Sequence, residues 1–302
     1  MVRGATMSMV VGILLGALTV LAAVYVIVLG RIALRKGLGL AIPSLEGVAL
    51  GAVTNFFDTL GIGSFAPTTA WIRLRKMVPD SYVPAVLNAG HGLPTLVEAL
   101  IFINLVKVDP WLLAACIAAS VVGAAVGAPI VLRLPLHAVQ AVVGVALLFA
   151  AAAFVAKNLD LMPGGGTALS LPPALFAVAV GGYFLFGALM TCGIGLFAPS
   201  LVLLPLLGMS PAASFPMMMG ACAFLMPVSG FRFLSSERID IRLVIAITLG
   251  GIPAVLVAAL LVKSLPLTTL RWCVVAVVVY AAIALLRSAM RPVVAAMAAT
   301  TG

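Results

Sequence analysis

Residues 61–67 read Gly61-Ile62-Gly63-Ser64-Phe65-Ala66-Pro67, and residues 193–199 read Gly193-Ile194-Gly195-Leu196-Phe197-Ala198-Pro199. The stretches lie 132 residues apart and agree at six of seven positions. Chance identity is common in apolar sequence, but not in a motif of paired glycines and a proline. The match continues: Val108-Asp109 pairs with Ile239-Asp240, and Leu134-Pro135-Leu136 with Leu265-Pro266-Leu267, both at an offset of 131. One short gap therefore aligns roughly 110 residues of each half, the mark of a duplicated bundle.

The surrounding composition sets the solvent. Of 302 residues, 64% are hydrophobic and 8% charged, and mean hydropathy is +1.31. A soluble domain is nearer half apolar and about a quarter charged. A soluble globule, a disordered chain and a disulfide scaffold are excluded. The apolar runs are continuous and do not alternate, which argues against a β-barrel. The expected fold is all-α: a polytopic membrane protein with two inverted repeats, each a broken, re-entrant helix hairpin plus three transmembrane helices. One extra transmembrane helix precedes them. Net charge is +9, but the basic residues stand singly or in threes between apolar runs. They read as orientation signals and not as a nucleic-acid surface. Cys116, Cys192, Cys222 and Cys273 lie inside apolar runs without CxxC spacing and read as buried thiols.

The expected organisation is an N-terminal helix and loop (1–42), repeat 1 (43–157), a linker (158–170), repeat 2 (171–290) and a tail (291–302). Within repeat 1 the segments are 44–60 and 64–75 around the break, then 81–106, 110–131 and 136–156. In repeat 2 they are 172–191, 195–208, 211–234, 241–263 and 267–288. The segments that follow Gly63 and Gly195 have about a dozen residues, against the roughly 20 needed for a crossing. Two tight but complete spans are the alternative to a re-entrant hairpin, and parity is the same in both. With the N-terminus outside and the C-terminus inside, twelve basic residues fall in the cytoplasm and five outside, as the positive-inside rule requires. Each hairpin is even and each repeat adds three spans. The repeats then lie in opposite orientations, and their glycine breaks meet near mid-membrane.

A broken helix in hydrocarbon leaves N–H groups that lipid cannot satisfy, so breaks persist where they face protein or a wet cavity. Half-helices starting near Ser64 and Leu196 present free N–H groups and positive dipole ends, and two such ends make an anion site. Gly61, Gly63, Gly193 and Gly195 permit the turns and a close approach to backbone. Ser64, Thr68 and Ser200 offer hydroxyls, and Phe65, Leu196 and Phe197 complete the candidate substrate site. Glycine pairs also mark close helix packing; two copies, each followed by Phe-Ala-Pro, favour a ligand.

The order Gly-x-Gly-x-x-x-Pro, a second span, Ile239-Asp240, a small-residue span and Leu265-Pro266 resembles the sulfite exporter TauE/SafE family of anion permeases over residues 45–288. That resemblance implies a carrier of sulfite, sulfonates or other small organic anions in the bacterial inner membrane. The glycine run usual after the first Gly-x-Gly is reduced here to Ser64-Phe65 and Leu196-Phe197.

Ionisable groups at membrane depth are rare and point to function. Asp58 precedes the first break, with Asn55 one turn earlier. Asn88, His91, Thr95 and Glu98 are spaced 3, 4 and 3 and share one helix face. Asn55, Asp58, Asn88 and His91 are candidates for proton coupling or for orienting the anion; a structural hydrogen-bonded cluster is the other reading, and the one favoured for Glu98. Pro94 frees a carbonyl beside it. Metal binding needs three or four converging ligands, so neither metal nor cofactor is expected. The expected function is a secondary transporter of a small (organo)sulfur or organic anion, coupled to protons. The alternatives are a passive anion channel and an intramembrane enzyme. The latter lacks GxSxG and a partner Asp facing Asp58, so no enzyme is expected. Expected partners are the anion, H+, the lipid bilayer and a second copy in a homodimer.

Overall fold

In a computed structural model the chain is helical, and the structure describes residues 2–36, 43–127, 135–159, 166–190, 195–234 and 239–300. No strand occurs among them. The helices are α1 (Val2–Arg35), α2 (Leu45–Thr59), α3 (Phe65–Arg75), α4 (Val83–Leu105), α5 (Pro110–Val122), α6 (Leu136–Asn158), α7 (Pro173–Met190), α8 (Phe197–Leu206), α9 (Ser214–Leu234), α10 (Ile241–Ser264) and α11 (Leu267–Thr300). Six stretches among the described residues are long and apolar enough to cross a membrane: Ser8–Arg35, Asp80–Leu105, His137–Ala156, Pro173–Met190, Ile241–Ser264 and Thr268–Met290. Large apolar side chains such as Ile13, Val142, Phe149 and Leu260 face outward, as a lipid-facing belt requires. The chain is an all-α, membrane-embedded protein.

Local chemistry sets the ends of these helices. Ser44 caps α2 by accepting from the Gly47 N–H at 3.1 Å. The matched Asp109 and Asp240 do the same work in the two halves. Asp109 accepts from Trp111 N–H at 2.9 Å to cap α5, and Asp240 from Leu243 N–H at 3.0 Å to cap α10. α5 runs on into a π-helical turn, Gly123–Gly127. α11 runs through the expected tail: residues 293–300 are rich in alanine, the strongest helix former.

α2 ends in a Schellman turn. Gly61 N–H bonds Asp58 O at 2.7 Å and Ile62 N–H bonds Phe57 O at 3.1 Å, with Gly61 at φ 95°. Gly63 follows at φ 88°, and α3 starts two residues later. α2 and α3 have 15 and 11 residues, about 22 and 16 Å at 1.5 Å per residue. Neither covers the roughly 30 Å hydrocarbon core alone. Arg75 donates to Glu46 Oε1 at 2.7 Å and Trp71 to the same oxygen at 3.3 Å. The end of α3 thus sits beside the start of α2, so the two form a closed hairpin. α8 has 10 residues. It ends in a like turn at Gly208 (φ 96°), where Ser210 N–H bonds Ala168 O at 2.9 Å. The end of α8 therefore returns to the chain that leads into α7.

Packing is between halves more than within them. α2 lies on α10, α5 on α7, α4 on α9 and α6 on α11. Where α2 crosses α10, a Cβ on Gly51 would fall on the Ile247 backbone, and one on Gly250 on the Val48 carbonyl. Where α5 meets α7, Gly123 and Gly187 stand against the Phe184 and Ser120 carbonyls. Small residues let the backbones touch, which is how helices adhere in lipid. Pro94 cannot donate to Gly90 O, four residues back. Thr248 of α10 donates to it at 3.0 Å, so a gap left in one half is closed by the other.

The crossing predicts a test. Gly51→Val and Gly250→Val should each destabilise the protein by about 1–3 kcal/mol. Gly16→Val on α1, where a Cβ meets nothing within 4 Å, should leave the melting temperature in detergent unchanged. Equal melting curves for all three variants would reject the contact.

Candidate functional site

The described parts of both breaks open onto one cavity of about 150 Å³. Asp58, Gly63, Ser64 and Phe65 come from the first hairpin, and Met190, Gly195, Leu196, Phe197 and Pro199 from the second. α9 adds Cys222 and Met226, α6 adds Leu147, and α11 adds Tyr280 and Leu285. A Cβ on Gly63 or on Gly195 would meet nothing within 4 Å, so both glycines border empty space. Gly63 also needs its left-handed φ. The missing side chain of Gly195 leaves room in the cavity.

The two half-helix ends differ. At α3, Asp58 turns back on the break: Oδ1 accepts from Ser64 N–H at 2.8 Å and Oδ2 from Ser64 Oγ at 3.0 Å. A carboxylate at a helix N-terminus satisfies an orphan donor and opposes the positive end of the dipole. Asp58 is 3% exposed, so a buried carboxyl group already occupies the first end. At α8 no side-chain cap is made at Leu196. Phe197 and Ala198 line the cavity, and the first N–H groups of a helix have no partner within it. Ser200 donates to Leu196 O of its own helix at 2.8 Å, not to the cavity.

Behind Asp58 runs a second polar chain. Asn55 donates from Nδ2 to Gly51 O at 2.7 Å, and its Oδ1 lies 2.9 Å from His91 Nδ1. With the amide donor already engaged, Oδ1 accepts from Nδ1–H. His91 Nε2 then accepts from Thr68 Oγ at 3.0 Å. Asn55, Thr68 and His91 are fully buried and bind α2, α3 and α4 to one another. Glu98, equally buried, lies 2.8 Å from Thr59 Oγ, which also bonds Asn55 O at 2.9 Å. Its Oε2 has no hydrogen-bond partner among the described residues.

The sequence candidates divide accordingly. Asp58, Gly63, Ser64, Phe65, Gly195, Leu196 and Phe197 meet at the cavity. Gly61 packs beside Leu201 and Met218. Asn55, Thr68 and His91 form the chain behind it. Asn88 shares the His91 face but is only half-buried and donates to Pro84 O of its own helix at 2.9 Å. Gly193 lies outside the described residues. Sequence reasoning left out Leu147, Met190, Tyr280 and Leu285. Met190 had a signal, since it stands 132 residues after Asp58. The residues of α6 and α11 had none.

The chain matches no protein-family model, no curated protein and no solved structure.

The hydrogen-bond order fixes a tautomer. His91 should carry its proton on Nδ1 and present a bare Nε2 to Thr68. Nitrogen-15 NMR of histidine-labelled protein reads this directly. An Nε2–H signal for His91 would reverse the chain, and Asn55→Leu should abolish the preference.

Proposed function

We propose that the protein is a secondary transporter that carries a small anion, an organosulfur or organic anion such as sulfite or a sulfonate, across a cytoplasmic membrane with protons. It is not an enzyme on this reading. The single observation that carries it is the shared cavity: Gly63 and Gly195 both line it, one helix end facing it has no side-chain cap among the described residues, and the other is held by the Asp58 carboxyl group. The uncapped end of α8 supplies donors and partial positive charge for the anion. Asp58 supplies the coupling. While ionised, it occupies the donors of Ser64; once protonated, it leaves them for the substrate. Anion and proton then enter together. The resemblance to the TauE/SafE family agrees with this assignment.

The same reading makes the halves inverted repeats. Four observations support it. Arg73 Nε bonds Asp80 Oδ1 at 3.0 Å, which ties the closed end of the first hairpin to the start of α4. Asp109 N–H bonds Leu169 O at 2.9 Å, which ties the far end of α4 to the chain entering α7. The hairpin bases therefore sit at opposite ends of a 23-residue helix. The packing of α2 on α10 and α5 on α7 exchanges halves as a two-fold axis would. The basic residues are consistent with a cytoplasmic base for hairpin 1, an outer N-terminus and a cytoplasmic C-terminus in an inner membrane. The outward apolar faces meet lipid or, in a homodimer, a second copy.

Two predictions test the transport reading. Gly195→Leu places a side chain in the empty space beside Gly195 and should abolish anion-induced thermal stabilisation in a screen of sulfite, sulfonates, sulfate, thiosulfate and carboxylates. Gly63→Leu should do the same at a further cost in stability. Wild-type stabilisation in Gly195→Leu protein would remove the site. Asp58→Asn keeps the shape but not the titration. In proteoliposomes it should leave downhill anion flux and end uphill flux driven by a pH gradient. Uphill flux equal to wild type would remove Asp58 from coupling.

A further inference from the structure

Three sulfur side chains line the cavity that Asp58 also borders. Met190 ends α7, and Cys222 and Met226 lie four residues apart on one face of α9. All three line the cavity. Cys222 Sγ and Met190 Sδ are 3.9 Å apart. Cys222 and Met226 are 2% and 3% exposed.

Their places in the duplication are not arbitrary. Met190 stands 132 residues after Asp58. At the 131 offset that aligns the turns Asp80–Tyr82 and Pro211–Ala213, Cys222 answers to His91 and Met226 to Thr95. Thr95 Oγ contacts Met226 Sδ at 3.6 Å, so these two equivalent positions touch each other between the halves. Repeat 1 holds hard oxygen and nitrogen donors at the three positions, and repeat 2 holds soft sulfur at the same three.

We infer that Met190, Cys222 and Met226 form a binding site for a soft monovalent metal ion, copper(I) or silver(I), within the cavity. Thiolate and thioether ligands select copper(I) over harder ions. A metal about 2.3 Å from each of three sulfurs in a plane sets them about 4 Å apart, the separation seen between Cys222 and Met190. Charge favours a monovalent ion. As the metal–Sγ bond forms, the S–H bond breaks and its proton goes to the buffer. One positive charge enters and one leaves, so the buried site gains no net charge. A divalent ion would leave one uncompensated. The inference does not depend on the anion reading, since a metal site and an anion site can share or contest the same cavity.

The test uses the full chain in detergent, kept anaerobic, with copper(I) delivered from a chromophoric chelator. In a background of Cys116→Ser, Cys192→Ser and Cys273→Ser, one copper(I) should bind per chain. X-ray absorption should report three sulfurs near 2.3 Å. Cys222→Ser should abolish binding, and Met226→Leu or Met190→Leu should weaken it at least tenfold with a two-sulfur spectrum. The methionine variants preserve volume and are expected to fold, which a thermal melt without metal checks. No copper bound in the three-serine background, an unchanged affinity in Cys222→Ser, or a spectrum with oxygen or nitrogen as the main ligand overturns the site.

Discussion

A helix that stops inside hydrocarbon has to answer for its bare N–H groups, and everything at the centre of this protein follows from that demand. The chain stops two helices part-way and meets the demand differently each time. At α3 it supplies its own carboxyl group: Asp58 reaches back from the preceding helix and bonds both the N–H and the hydroxyl of Ser64. At α8 no side-chain cap is made among the described residues, and the first turn looks into the cavity. Among the described residues, the two matched ends thus differ: one is filled by a carboxyl group and the other has no side-chain cap.

The divergence extends to what lies behind each end. In repeat 1, Asn55, Thr68 and His91 form a closed line of donors and acceptors through three helices. Asn55 and His91 are each used twice and Thr68 once, and none can be exchanged for an apolar group without stranding its neighbours. In repeat 2 the equivalent region of α9 carries Met217, Met218 and Met219, all without exposure. Unbranched, polarizable side chains adapt to a changing shape. One half of the site is therefore fixed by directional bonds and the other by pliable packing.

Much of this was legible. The segments expected at 44–60 and 64–75 are helices at 45–59 and 65–75, and those at 211–234 and 241–263 are helices at 214–234 and 241–264. Unbroken apolar runs bounded by Gly, Pro and capping Asp leave little choice. The paired breaks were legible too, because only glycine meets φ 95° and φ 88° at Gly61 and Gly63 without strain. Three things were not. The return of Asp58 to Ser64 depends on the Schellman turn between them, which no spacing encodes. The bond from Thr248 to Gly90 spans 158 residues, so Pro94 announced a free carbonyl but not its partner. Asn88 lies on the same helical face as His91, yet near the start of α4 that face leaves the packed interior, and its amide is spent locally. Periodicity assigns a face; it does not say how far along the helix that face stays covered.

The glycine crossings have a consequence for motion. Where α2 meets α10 and α5 meets α7, main chain rests on main chain with no side chains between to act as a cushion. Such seams resist sliding, so each long hairpin arm is welded to a helix of the opposite half and neither can swing independently. Freedom is left to the short arms, α3 and α8, whose tips carry Phe65 and Phe197 into the cavity. Any change in the cavity's shape then comes from small tilts of two half-length rods between stationary crossbeams, and not from the halves rocking as blocks.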